Sequence, residues 1–157
     1  MKFLKIGAAI LLVGVVVAAL LAPIGPMPGF LIGGEPTAVP ASWGDTHSVH
    51  EIQLQVGNGP IGRTVIIWTV QQDGDLFVVG DPRRGWASGI GEGSPVRLLL
   101  QGKLYELQAT PITQGKIEVL RAWLAKYAPD YPEIVEGFGA PEEGAKMAAV
   151  FRLTARS

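Results

Sequence analysis

The sequence predicts a mainly β domain, a small antiparallel barrel of about six strands with one or two helices, preceded by one N-terminal transmembrane helix. Three observations lead there. The chain opens with an uncharged apolar run, "IGAAILLVGVVVAALLA", after the basic start "MKFLK". From His47 onward the pattern alternates, or runs β-branched and aromatic, between short glycine turns. One stretch of helical spacing interrupts it before a last β run. Short antiparallel strands with one helical insertion favour a barrel over a parallel sheet.

The chain has 157 residues, room for one domain once a targeting segment is set aside. Net charge is -1, which gives no electrostatic case for a nucleic-acid partner. There is no cysteine, so disulfides, thiolate metal sites, cysteine nucleophiles and a lipid-modified cysteine are excluded.

Residues 1–22 read as a membrane anchor, with a cleaved signal peptide as the alternative. A bilayer needs roughly 17–20 apolar helical residues. The stretch "ALLAP" is a poor cleavage site, which favours the anchor. Lys2 and Lys5 lie on its N-terminal side, and the next basic residue is Arg63. The positive-inside rule therefore puts the N-terminus in the cytoplasm and the domain outside it, in the periplasm if the source is bacterial. The expected partner is the lipid bilayer.

Residues 23–42 are rich in Pro and Gly and read as a linker, its apolar residues Met27, Phe30, Leu31 and Ile32 lying at the membrane surface or against the domain. The domain proper spans 43–157. "HSVHEIQLQV" puts Ile52, Leu54 and Val56 on one face. "RTVIIWTV" suits a strand buried on both sides. An Asp-Gly turn in "QQDGD" returns the chain as "LFVVG". "PVRLLLQGKLYELQATPI" is a second hairpin, turning near Gln101-Gly102-Lys103. Ile117, Leu120, Trp123, Leu124 and Tyr127 fall at helical spacing, with Thr113 the expected N-cap and Pro129 the stop. A second short helix is expected after Asp130, with Pro132 in its first turn. "MAAVFRLTA" closes the domain as a strand.

The candidate site is "GDPRRGWASGIGEGSP", between the two hairpins. Arginine grips phosphate or carboxylate bidentately, and an indole stacks on a planar ring. Arg83, Arg84 and Trp86 therefore read either as a loop closing over an anionic aromatic cofactor or as a solvated turn with Trp86 covering the barrel. "GIGEGSP" has GxGxG spacing and lacks the dinucleotide pattern GxGxxG. "GNGPIGR" offers either an anion nest with Arg63 or an ordinary β-turn. His47 and His50 fall on opposite strand faces, poor for shared metal ligation, and read as surface residues or as a lone haem ligand. Glu142 and Glu143 read as solvated loop residues, and no acid/base pair or GxSxG nucleophile stands out.

From Gly62 to Arg156 the chain resembles the deazaflavin-dependent nitroreductase and quinone reductase family, within the flavin reductase-like (pyridoxamine phosphate oxidase-like) split β-barrel group. The matching pieces are "DGDLFVVG", "RRGWASGIGEGSPVRLLLQGKLYELQATPI", "VLRAWLAKYAPDYPEIVEGF" and "AAVFRLTA", with "YAPDYPE" similar to that family's Tyr-Pro-x-Tyr ending. The resemblance implies a split β-barrel holding a deazaflavin or FMN in a groove, often between two subunits of a homodimer. It implies that Arg63, Arg83 and Arg84 hold the cofactor's phosphates and that Trp86 stands at the family's tryptophan. The implied activity is hydride transfer from the reduced cofactor to a quinone-like or nitro acceptor. Two departures, the shortened "GPIGR" and Gly89 in place of an Asn, support a competing reading. In it the chain is a non-catalytic binding or scaffold module that kept the barrel and lost the cofactor. A haem-binding barrel using His47 or His50 is the third.

Overall fold

The computed structural model describes residues 2–21, 23–24, 27–57, 62–83 and 85–156. In chain order the elements are α1 (Lys2–Leu21), β1 (Glu35–Pro36), β2 (Glu51–Val56), β3 (Arg63–Gln72), β4 (Asp75–Gly80), α2 (Gly85–Ile90) and β5 (Ser94–Leu100). They continue with β6 (Lys103–Pro111), α3 (Lys116–Tyr127), α4 (Pro132–Phe138), α5 (Pro141–Met147) and β7 (Ala149–Ala155).

Six antiparallel strands form a closed ring. The order β6-β5-β2-β3-β4-β7 returns on itself because β7 also pairs with β6, from Leu107 opposite Ala155 to Pro111 opposite Phe151. Closure leaves no long free edge. Both predicted hairpin turns carry two left-handed residues: Asp73 and Gly74 at φ 52° and 87°, Gln101 and Gly102 at φ 50° and 79°. Their twist matches that of the flanking strands, which is why two residues suffice to reverse the chain.

Alternation along the strands builds two cores. Leu54, Leu76, Val78, Leu98, Leu107 and Leu153 are at most 1 % exposed and fill the barrel. A barrel of this size has room only for its own side chains, so ligand sites lie outside it. The other core joins Val70 and Phe77 on the outer face to Val119, Leu120, Trp123 and Tyr127 of α3. β3 serves both cores, with Val65 facing the barrel and Val70 the outer one. Between them Ile66, Ile67 and Trp68 are only partly buried, where the sequence predicts burial on both sides. Each fully buried aliphatic or aromatic side chain contributes about 1.5–3 kcal/mol.

The structure differs from the sequence reading at several places. The cap of α3 is Gly115, not Thr113; its φ of 71° turns the chain out of β6, and no side chain bonds the helix end. Residues 85–90, expected as loop, form α2. Glu142 and Glu143 lie in the first turn of α5 and Lys146 in its last, the arrangement that suits a helix dipole. α4 forms as expected, with Pro132 in its first turn.

The expected helix at the N-terminus forms as α1. Within it, side chains are described for 6, 7 and 9–17. Among the described residues no helix is long and apolar enough to cross a membrane. The Pro/Gly-rich segment after α1 lies along the barrel. Gly29 bridges Thr64 through mutual bonds of 2.8 and 2.9 Å, β1 pairs parallel with β6, and the Thr37 N–H donates to Leu104 O at 2.9 Å.

Candidate functional site

Strand β4 ends at Gly80, and the next turn leads into α2. The six-membered ring of Trp86 lies where a Cβ on Gly80 would stand, so only glycine fits there. Trp86 is half-buried, packs on the barrel core and meets the Phe151 ring at a centroid distance of 6.0 Å. Part of the indole therefore covers the barrel core and part of it remains exposed. The Arg63 guanidinium lies over Gly85, with Cζ 2.8 Å from where a Cβ would be. Arg83 is held by Asp81: Nε donates to Oδ1 and Nη2 to Oδ2, both at 3.0 Å, and the Arg83 N–H donates to Oδ1 at 2.9 Å. This carboxylate contact raises the Arg83 pKa further. Arg84 lies outside the described residues, as does most of "GNGPIGR". The fold thus gathers Arg63, Arg83 and Trp86 around one corner, with the indole turned into the barrel.

Beside that corner is a groove of about 380 Å³, lined by Val79, Gly80, Asp81 and Arg83 on one side and by Trp123, Gly137, Phe138, Gly144, Met147 and Ala148 on the other. Its walls are mostly apolar. Trp123 and Phe138 meet at 5.2 Å between ring centroids, and Met147 is 67 % exposed. Trp123 is 6 % exposed, and its Nε1 is, among the described residues, the buried side-chain polar atom with no hydrogen-bond partner. A buried donor left unmatched is disfavoured by about 1–3 kcal/mol.

The histidines lie elsewhere. His50 is edge-on to Tyr127 and Tyr131, and its Nε2 is 3.4 Å from Asp130 Oδ2. His47 is exposed at a second cavity of about 420 Å³ that Asp45, Gln71 and Lys126 also line. Lys126 is buried, and its Nζ donates to the carbonyls of Thr46, Val49 and Thr69 at 3.1, 2.7 and 2.8 Å. Burial pushes its pKa down to about 8, against the opposing pull of Asp45. Three donors meet three acceptors, so this ammonium pins α3 to the loop before β2. Tyr127 works beside it: its hydroxyl is 2.6 Å from His50 O and 2.8 Å from Thr69 O, and accepts from Thr69 N–H at 3.1 Å. Among the described residues no group of three His, Asp or Glu side chains could hold a metal ion.

Trp123, Phe138 and Met147 were not among the site residues expected from sequence. Trp123 reads as a core residue of an amphipathic helix, which it also is. Phe138 and Met147 carry no periodic signal, and only the folding of α4 and α5 back onto α3 brings them together.

No protein-family model matches the chain, and no curated protein matches it. Among solved structures it is similar to a crystal structure of HutZ, described as the heme storage protein from Vibrio cholerae. That match has 13 % identity and a TM-score of 0.47, and covers 70 % of this chain and 84 % of that one.

Proposed function

We propose that this chain is a binding module that carries a flat ring ligand with an anionic or carbonyl edge in the groove between the β4–α2 corner and α3–α5. The observation that supports it is the mostly apolar lining of that groove, where Trp123, Phe138 and Met147 lie opposite Arg83. An apolar cleft with a few placed polar groups is the usual form of a small-molecule site. Trp123, Phe138 and Met147 would lie against the ring, and Arg83 at the rim would meet the negative edge once it leaves Asp81.

Haem and the flavins share this chemistry, because haem carries carboxylates and a flavin ring carries carbonyls. With haem, Met147 is the groove residue that offers iron a ligand atom; His47 and His50 do not line this groove. With a deazaflavin or FMN, the Trp123 and Phe138 rings suit the flat ring system and Arg83 suits a phosphate. That observation favours the second reading, a split-barrel reductase passing hydride from the bound cofactor to a quinone-like or nitro acceptor. The cofactor would supply the redox chemistry and the chain its orientation.

The proposal keeps the domain at a membrane, held by α1 with the N-terminus in the cytoplasm. Lys2 and Lys5 stand at the N-terminal end of α1, and no charged residue stands between Lys5 and Glu35. The absorbance spectrum of the purified full chain tests the ligand, alone and after adding haem, FMN or a deazaflavin. An intense, sharp Soret band with weaker visible bands supports the haem reading, a broad band with flavin-type fluorescence supports the flavin one, and a colourless protein that takes up none of them overturns both.

A further inference from the structure

The segment between α1 and the barrel exposes large apolar side chains although it is tied to the domain by specific bonds. Gln55 is fully buried on the outer side of β2, and its Nε2 donates to Phe30 O at 2.8 Å and to Thr64 Oγ1 at 3.0 Å. Arg97 donates to the other end of that amide. Together with the Gly29–Thr64 bridge, this fixes the backbone at 29–30 against β2 and β3. Ile24 and Met27 exchange bonds of 3.1 and 3.0 Å, making a tight reversal just before it.

Although this backbone is hydrogen-bonded, its large apolar side chains are left exposed. Ile24, Met27, Phe30 and Leu31 are 48, 62, 51 and 45 % exposed. These residues directly follow a helix whose described apolar side chains from 10 to 13 and 15 to 17 are also exposed. The uncharged stretch runs unbroken from α1 through them to Glu35.

We infer that Ile24, Met27, Phe30 and Leu31 form a lipid-contacting collar that seats the barrel on the membrane surface. The inference rests on the proposal that α1 anchors the chain. Its partner is the interfacial zone of a phospholipid bilayer, where apolar side chains on a bonded backbone are stable. The clamp through Gln55 ties the backbone at 29–30, and with it the collar, to the barrel.

The chain has no cysteine, so single cysteines are unique labelling sites. Val13→Cys, Phe30→Cys, Leu31→Cys and, on an exposed turn, Glu92→Cys carry a nitroxide in the full chain, reconstituted in phosphatidylcholine–phosphatidylglycerol vesicles. Collisions with oxygen, which concentrates in lipid, are compared with those of a water-soluble nickel complex. The oxygen-to-nickel ratio should be severalfold higher at 13, 30 and 31 than at 92. A lipid-like ratio at 13 with water-like ratios at 30 and 31 overturns the collar and leaves the anchor standing. A water-like ratio at 13 overturns the anchor and the collar with it. Shielding of 30 and 31 from both reagents overturns the lipid assignment in favour of contact with a second copy of the chain.

Discussion

The ring of Trp86 occupies the space over Gly80 that a Cβ would fill, so strand end and indole specify each other. Gly80→Ala should force the indole out and lower stability by about 1–3 kcal/mol. Trp86→Ala should lower it by about 3 kcal/mol by opening the end of the barrel. Urea unfolding checks both. A stable Trp86→Ala protein that has lost ligand affinity would instead make Trp86 a ligand residue, as the family resemblance implies.

Asp81 holds Arg83 in a two-point contact on an exposed turn. Arg83→Ala should leave stability within about 0.5 kcal/mol. It should weaken binding of an anionic ring ligand roughly 10- to 100-fold, the loss of one charged hydrogen bond of about 1.5–3 kcal/mol. Asp81→Asn should strengthen that binding by freeing the guanidinium. Titration calorimetry reads both; unchanged affinity in each would remove the corner from the binding site.

Burial raises the Tyr127 pKa, with smaller contributions from Tyr131 and Glu51, while the Thr69 backbone bond opposes the shift. The folded chain therefore keeps a proton that an unfolded tyrosine gives up near its usual pKa of about 10. Its stabilising contribution is complete below that pH and is lost as pH rises above it. Lys126 has the opposite sign. With its folded pKa lowered to about 8, the unfolded chain binds more protons from there up to its ordinary value of 10.5. Stability gains over that window, and the gain is lost as pH falls through about 8. Thermal unfolding from pH 7 to 11 should show a maximum and then a fall. Tyr127→Phe should lessen the fall and lower stability at neutral pH by about 1–3 kcal/mol. Lys126→Met should remove the rise.

Much of the barrel is legible in the sequence because it rests on local signals. Alternation in "EIQLQV", the Asp73-Gly74 turn and the Gln101-Gly102 turn each state a strand or a reversal within a few residues. Less legible were α2 and α5, whose helices are too short for a clear period and whose glycines read as loop. The groove was illegible for another reason. Arg83 announces itself by residue type, whereas Trp123, Phe138 and Met147 are ordinary apolar residues that become a site only through the packing of three helices on β4. The clamp at Gln55 is similar: a polar residue on an alternating strand reads as solvent-facing, and only the returning segment at 29–30 buries it.

The most direct test of the central claim compares wild type with Trp123→Phe in titrations of the full chain with haem, FMN and a deazaflavin, read by absorbance. The substitution keeps an aromatic wall but removes part of the indole together with its buried N–H. One of these ligands should bind wild type, and its affinity should fall at least about tenfold in Trp123→Phe, with stability lowered by about 1–3 kcal/mol and the fold kept. Binding that is equally tight in both proteins, or absent from wild type for all of these ligands, would contradict the groove as the functional site.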